Sequence, residues 1–152
     1  MLPIAIGCDD AALELKNQIV GFLHQKGIEI VDYSYDQHRE NSIYPDVAVE
    51  VAREIRNGAH QRGILICGTG IGMSIAANKV IGIRAAQCHD TYSAQRARKS
   101  NDAQIITLGA RVIGPELAKE IVSIWLESEF EGGGSASKVE KIIYYEHQEN
   151  NQ

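Results

Sequence analysis

The chain has 152 residues, of which 44% are hydrophobic and 23% are charged, a composition typical of a folded globular protein. A net charge of −5 argues against a nucleic-acid-binding protein, because such proteins usually carry a basic excess. The amino terminus has no basic segment followed by a long apolar one, and no run has the length of a membrane span, so we expect neither a secretory signal nor a membrane segment. The three cysteines form no CxxC pair, which argues against zinc and against a disulfide framework and favours a reducing cytoplasm.

Short apolar runs alternate with helical patterns along the first half of the chain. In chain order, the patterns predict a strand at 4–6, a helix over 10–26, a strand at 28–33, a polar loop over 34–44, a helix from Pro45 to Asn57-Gly58, a strand at 63–66 and a helix over 74–79.

The second half continues the alternation. It predicts a strand at 83–87, a helix from about 91, a strand at 104–108, a helix from Gly114-Pro115 through Trp125, a Gly/Ser-rich segment at 132–135, a helix over about 136–146 and a frayed tail at 149–152. Because strands that alternate with helices form βαβ units, the predicted fold is an α/β, Rossmann-like three-layer sandwich with a parallel sheet of about five strands. We expect a single domain over 1–152.

The third predicted strand runs directly into Cys67 and a turn with three alternating glycines, Gly68, Gly70 and Gly72. Open α/β sheets bind ligands at the carboxyl ends of their strands, where Cys67 stands. A second polar strand end, Gly7-Cys8-Asp9-Asp10, is expected at the same edge. A thiol beside the amides of a turn suits proton transfer next to a developing oxyanion.

The glycine spacing argues against nucleotide-binding functions. Gly68-x-Gly70-x-Gly72 is not the GxGxxG dinucleotide fingerprint, and the GxxxxGK[ST] pattern of P-loop proteins is absent. The glycines could also serve only to let a helix pack closely on the sheet. The cysteine and the second polar strand end favour a site over that alternative.

Eight motifs resemble the ribose-5-phosphate isomerase B / galactose-6-phosphate isomerase family, over roughly residues 3–145. They are Gly7-Cys8-Asp9, Tyr44-Pro45, Ile66 to Gly72, Ala76-Ala77-Asn78-Lys79, Gly82-Ile83-Arg84-Ala85, Tyr92-Ser93-Ala94, Asn101 and Gly109 to Gly114. The resemblance implies a Rossmann-like aldose–ketose isomerase that uses no cofactor and no metal. It also implies a homodimer with shared active sites, sometimes paired into tetramers, in which the C-terminal helix packs on the partner subunit.

The resemblance also implies a role for each matching residue. Cys67 would be the base that removes a proton beside a carbonyl and so forms a cis-enediolate, with the Thr69 hydroxyl and the amides from Gly68 to Ser74 holding its oxygen. Asn101 and Arg111 would come from the partner subunit, His89 is a further candidate, and Cys8 and Cys88 are expected to be inert. The implied substrate-binding residues are Asp9, Asp10, Tyr44, Gly68, Gly70, Ile71, Gly72, Ser74, Ser100, Asn101, Arg111 and Lys138.

The chain departs from the family pattern at four positions. Asp10 and Ser100 stand where the family has histidines, and Gly134 and Lys138 stand where it has arginines. The missing side chains belong to the ring-opening and phosphate-binding apparatus for a cyclic pentose phosphate. A four-carbon sugar with a terminal phosphate cannot close a furanose ring, so it needs no ring-opening acid.

The expected reaction is therefore the interconversion of D-erythrulose 4-phosphate and D-erythrose 4-phosphate. The segment from His89 to Ala94, with Ser100-Asn101, is similar to the subgroup associated with that reaction. Two alternatives stay open: an isomerase of ribose 5-phosphate and ribulose 5-phosphate with a rebuilt phosphate site, and a catalytically silent paralogue that binds sugar phosphates.

Overall fold

The computed structural model describes residues 1–38 and 42–151 and contains a five-stranded parallel sheet. Its strands are β1 (Ile4–Cys8), β2 (Ile30–Asp32), β3 (Gly63–Cys67), β4 (Ala85–Gln87) and β5 (Ile105–Gly109). They lie in the order β2-β1-β3-β5-β4, so the predicted α/β class and strand number are confirmed. Cys8 pairs with Ile66 and Cys67 with Gly109, which brings the carboxyl ends of the three central strands together.

Helices cover both faces of the sheet. They are α1 (Leu13–Gln25), α2 (Tyr35–His38), α3 (Tyr44–Arg56), α4 (Ile71–Ala77), α5 (Thr91–Lys99), α6 (Pro115–Glu127) and α7 (Ala136–Asn150), with a 3-10 turn at Gly133–Ser135. One core contains the apolar faces of α1, α5 and α6, including Trp125, and the other contains those of α3 and α4. The three layers predicted from the sequence are therefore present.

Side-chain alternation along the strands decides which core each cysteine faces. Ile64 and Ile66 point into the core under α1, α5 and α6, whereas Leu65 and Cys67 point to the side of α3 and α4. Cys8 and Cys88 belong to the first core. The three thiols are thus divided between opposite faces of the sheet, with Cys67 alone on the α4 side.

Strand β1 continues to Cys8, past its predicted end at 6. Strands β2 and β4 are shorter than predicted because turns take up the flanking residues. β2 is shorter than 28–33 because the Ile28 N–H donates to Leu23 O at the end of α1, next to Gly27 with φ +73°. β4 is shorter than 83–87 because the Ile83 N–H closes a turn on Val80 O.

Four helical segments also differ from the predictions. Helix α1 begins at Leu13 instead of 10 and ends at Gln25 instead of 26. Helix α4 begins at Ile71 instead of 74, because the Ser74 N–H already donates to Gly70 O. One helical turn, α2, lies inside the loop predicted over 34–44; residues 39–41 of that loop fall outside the described residues. Helix α7 continues to Asn150, past its predicted end at 146 and into the predicted tail, of which Gln152 is not described. No helix in the described part of the chain is long and apolar enough to cross a membrane.

Candidate active site

The strand order reverses between β1 and β3, so their carboxyl ends form a topological switch point of the sheet. β2 lies on one side of β1, and β3 and all later strands lie on the other. Ligands of open α/β sheets bind at such switch points. The structure places Asp9 and Cys67 there, on neighbouring strand ends, and the Asp9 N–H donates to Ile66 O at 3.3 Å.

The Cys67 sulfur accepts a hydrogen bond from the backbone of the turn that follows it. The Gly70 N–H donates to Cys67 Sγ over 3.1 Å. Gly70 has a φ of +77°, and a Cβ at this position would lie 2.9 Å from the Leu108 carbonyl carbon. Only glycine meets both constraints, so this residue allows an N–H to face the sulfur. An N–H donor stabilises a thiolate more than a thiol, because the bond is stronger to an ionised acceptor.

Two side chains hold this turn on the sheet, and neither was identified from the sequence. Gln87 Nε2 donates to Thr69 O at 2.8 Å, and Thr107 Oγ1 donates to Gly70 O at 2.8 Å. Thr107 is fully buried. For Thr107 the available signal was a hydroxyl inside an apolar strand, where a buried polar group needs a partner. Gln87 is exposed at the end of β4 and gave no such signal.

Arg111 lies over the glycine turn of its own chain. A Cβ on Gly68 would be 3.2 Å from Arg111 Nη1, and the Arg111 N–H donates to Gly68 O at 3.0 Å. The expectation that Arg111 reaches the site from a partner subunit is therefore wrong. The turn after β5 folds back on the turn after β3, because Gly109 lets the two backbones touch at Thr69.

Asp9 shares this edge of the sheet with Arg111. Burial raises the pKa of the Asp9 carboxyl and neighbouring Asp10 adds to the rise, while the Ala11 N–H bonded to it and the charge of Arg111 oppose it. The carboxyl is thus less acidic than an exposed aspartate and lies near a guanidinium. Such a pair can hold the hydroxyl and oxyanion groups of a small sugar.

Tyr44 and Gly72 form the wall of the site on the α3 side. A Cβ at Gly72 would collide with the Tyr44 ring, so this glycine is needed for close packing. Tyr44 and Ile71 are both exposed. The structure therefore brings the Tyr44 ring to the start of α4.

The amides from Gly68 to Ser74 do not all face one point. The Gly70 N–H is bound to the sulfur, the Ile71 N–H donates to Thr69 Oγ1 at 3.2 Å, and the Ser74 N–H donates to Gly70 O. The Ser74 hydroxyl donates to Ala85 O at 3.3 Å, which directs it toward β4. At least three of the amides predicted to bind the oxyanion, those of Gly70, Ile71 and Ser74, are therefore already hydrogen-bonded within the turn.

His89 accepts a hydrogen bond at the end of β5. The Gly109 N–H donates to His89 Nε2 at 2.9 Å, which requires the neutral imidazole. Burial lowers the pKa of His89, and the charge of Asp90 opposes this. The imidazole thus fastens β4 to β5 beside Thr69.

The other two cysteines are buried thiols. Burial raises the pKa of Cys8 and of Cys88 to about 11. Both residues are therefore protonated at neutral pH and point away from the α4 side of the sheet.

Two predicted site residues, Ser100 and Asn101, lie away from Cys67 within the described chain. Ser100 and Asn101 follow α5 and lie at the amino end of β5, about 13 Å along the strand from Gly109. The Ser100 hydroxyl accepts hydrogen bonds from the Arg96 guanidinium. Asp10 is exposed before α1, and Lys138 is exposed in the first turn of α7.

Among residues 1–38 and 42–151, no group of three or more His, Cys, Asp or Glu side chains is placed to hold a metal ion.

The sequence model of one family, described as Ribose/Galactose Isomerase, matches residues 4–142. The chain belongs to this family. The match spans all five strands and the Cys67 turn, so the geometry described above is that of a ribose/galactose isomerase. The members that resemble this chain are aldose–ketose isomerases of sugar phosphates, and this chain is an enzyme of that class.

Individual family members match the chain along most of its length. A protein of Pectobacterium atrosepticum named D-erythrulose-4-phosphate isomerase is 72% identical, with 100% of both chains covered. A protein of Escherichia coli named ribose-5-phosphate isomerase B is 45% identical over 99% of this chain and 100% of that one. The structure of Clostridium thermocellum ribose-5-phosphate isomerase B aligns with a TM-score of 0.90 at 47% identity, covering 97% of this chain and 99% of the other.

Proposed function

We propose that this enzyme interconverts D-erythrulose 4-phosphate and D-erythrose 4-phosphate without a cofactor, with Cys67 as the proton-transfer base. The observation that supports the mechanism is the hydrogen bond from the Gly70 N–H to Cys67 Sγ at the switch point of the sheet. The substrate is supported by the 72% identity, over the full chain, to a protein named for that reaction.

In the proposed reaction the Cys67 thiolate removes a proton from C1 of the ketose, next to the C2 carbonyl. The electron pair of that C–H bond forms the C1–C2 double bond of a cis-enediolate, and negative charge develops on the carbonyl oxygen. The Cys67 thiol then returns the proton to C2, while the hydroxyl proton passes from O1 to O2. Arg111 and the amides of Gly72 and Met73 in the first turn of α4 would stabilise the oxyanion, and Asp9 would hold a sugar hydroxyl.

Ser100 favours the four-carbon substrate over ribose 5-phosphate. Its hydroxyl accepts from the Arg96 guanidinium, so it is a poor replacement for an imidazole that donates a proton to a ring oxygen. An open-chain substrate requires no such donor. The second candidate, a ribose 5-phosphate isomerase, is favoured by the relatives that carry that name, among them a Listeria innocua protein at 55% identity.

We include a homodimer with shared sites in the proposal. Asn101 lies at the edge of the sheet opposite Cys67, so it can complete a site only in another subunit. Helix α7 buries only Val139, while Ile142, Tyr144 and Tyr145 are each about half exposed. An apolar helix face of this kind suits packing on a partner subunit. The cytoplasm is the proposed compartment, since the three cysteines are unpaired.

The role of Cys67 is tested by substituting it and, as a matched control, Cys88. Cys67→Ala should lower kcat by about 10²–10⁴-fold, the range for loss of a positioned general base. Cys88→Ala should keep its turnover, because this thiol faces the other core. Initial rates, with proton exchange between solvent and product as a second readout, measure both. If Cys67→Ala keeps more than about a tenth of wild-type turnover, another group is the base. Inactivity of the wild type on both sugar phosphates would favour the silent paralogue.

A further inference from the structure

A single peptide group connects Gln87 with Cys67. The carbonyl of Thr69 and the N–H of Gly70 belong to one planar amide and point in opposite directions. Gln87 Nε2 donates to that carbonyl at 2.8 Å, and the N–H at the other end donates to Cys67 Sγ at 3.1 Å. A bond at one end of a rigid amide therefore restricts the direction of the other end.

We propose that Gln87 is a positioning residue for the Cys67 base: it aims the Gly70 N–H at the sulfur and strengthens that donor. This inference rests on the proposed function of Cys67. An amide whose oxygen accepts a hydrogen bond is polarised, so its N–H becomes a better donor. Both effects strengthen the hydrogen bond from the Gly70 N–H to the sulfur. Gln87 touches neither the sulfur nor the substrate in this account and acts only through the peptide.

Among the described residues, Gln87 is the side chain that bonds to the Thr69 carbonyl. Thr107 holds the next carbonyl, that of Gly70, and the backbone at Gly109 lies against Thr69. These contacts hold the turn against the sheet, but neither is a hydrogen bond to the Thr69 carbonyl. Without Gln87, the Thr69 carbonyl would have no side-chain donor among the described residues and would bond only to water. The peptide between Thr69 and Gly70 would then tilt, and the hydrogen bond from the Gly70 N–H to the sulfur would lengthen.

The test compares Gln87→Met with Gln104→Met, each of which removes a glutamine amide without changing charge or side-chain length. Gln104 is the matched control because it also bonds backbone near β4, at Gly82 O and Arg84 N, yet lies away from the turn. The first readout is the ultraviolet absorbance of the Cys67 thiolate at fixed neutral pH, without substrate, relative to Cys67→Ala. The second is kcat and KM for D-erythrulose 4-phosphate.

Gln87→Met should lower the thiolate signal and kcat by about threefold to tenfold, with KM changed less than about twofold, as loss of support for one charge-assisted hydrogen bond predicts. Gln104→Met should change neither. The inference is overturned if Gln87→Met has a wild-type thiolate signal, or if both variants lose it equally. A second variant, Gln87→Ala, must agree with Gln87→Met. A lowered thiolate signal with unchanged kcat supports the inference and instead contradicts the proposed role of Cys67 as base.

Discussion

The neutral imidazole of His89 makes stability depend on pH. Its Nε2 accepts the Gly109 N–H, and burial lowers its pKa below the ordinary value of 6.5. The unfolded chain therefore takes up this proton at a higher pH than the folded chain does. It follows that the stability this group supports is fully present above about 6.5 and is lost as pH falls from there through the lower pKa of the folded state.

We accordingly expect the free energy of unfolding to decrease as pH falls below about 6.5, the ordinary histidine value, because the folded-state pKa is lower still. His89→Gln should reduce this decrease, since its side-chain oxygen can accept from Gly109 without titrating. His24→Gln is the control, because His24 is exposed on α1. Urea unfolding at matched protein concentration measures all three proteins. Equal pH slopes for wild type and His89→Gln would refute the role of the imidazole.

At the level of elements, hydrophobic pattern predicted the strands and the larger helices because both faces of the sheet are covered and each strand is a short apolar run. Cys67 was placed correctly at a strand end for the same reason. The pattern missed α2, which is one turn long and has no measurable period. It also missed the ion pair of the buried Lys16 in α1, whose Nζ lies 2.6 Å from Asp32 Oδ2 at the end of β2.

Residues that act through backbone groups were beyond the reach of the sequence. Gln87 and Thr107 bond the carbonyls of Thr69 and Gly70, and such contacts follow from the register of β4 and β5, which periodicity does not specify. The own-chain position of Arg111 follows from the close approach of two turns at Gly109. The family resemblance named Arg111 but assigned it to the partner subunit, and it named neither Gln87 nor Thr107.

At the scale of the whole molecule, the sheet separates the predicted site residues into two groups. Asp9, Cys67, Gly68 and Arg111 meet at the carboxyl edge, whereas Asn101 lies at the amino edge. In a two-fold dimer, Asn101 of one subunit could then complete the site of the other.

Complementation between inactive variants tests this division. Mixing Cys67→Ala with Asn101→Ala subunits should restore about a quarter of wild-type activity, because half of the randomly exchanged dimers contain one intact site. Mixing Cys67→Ala with Arg111→Ala should restore nothing. Each site takes both residues from one chain, so each site of a mixed dimer still lacks one of them. Activity after denaturation and joint refolding is the measurement. Recovery in the second mixture, or none in the first, would contradict the assignment of residues to subunits.

The central claim is that this ribose/galactose isomerase acts on an open-chain four-carbon sugar phosphate. Its most direct test is the ratio of kcat/KM for D-erythrulose 4-phosphate to that for ribose 5-phosphate, measured on the wild-type chain. We predict a ratio of at least about tenfold, or roughly 1.4 kcal/mol of transition-state stabilisation, because Asp10, Ser100 and Gly134 replace groups that a cyclic pentose phosphate would need. Equal or faster isomerisation of ribose 5-phosphate would contradict the claim.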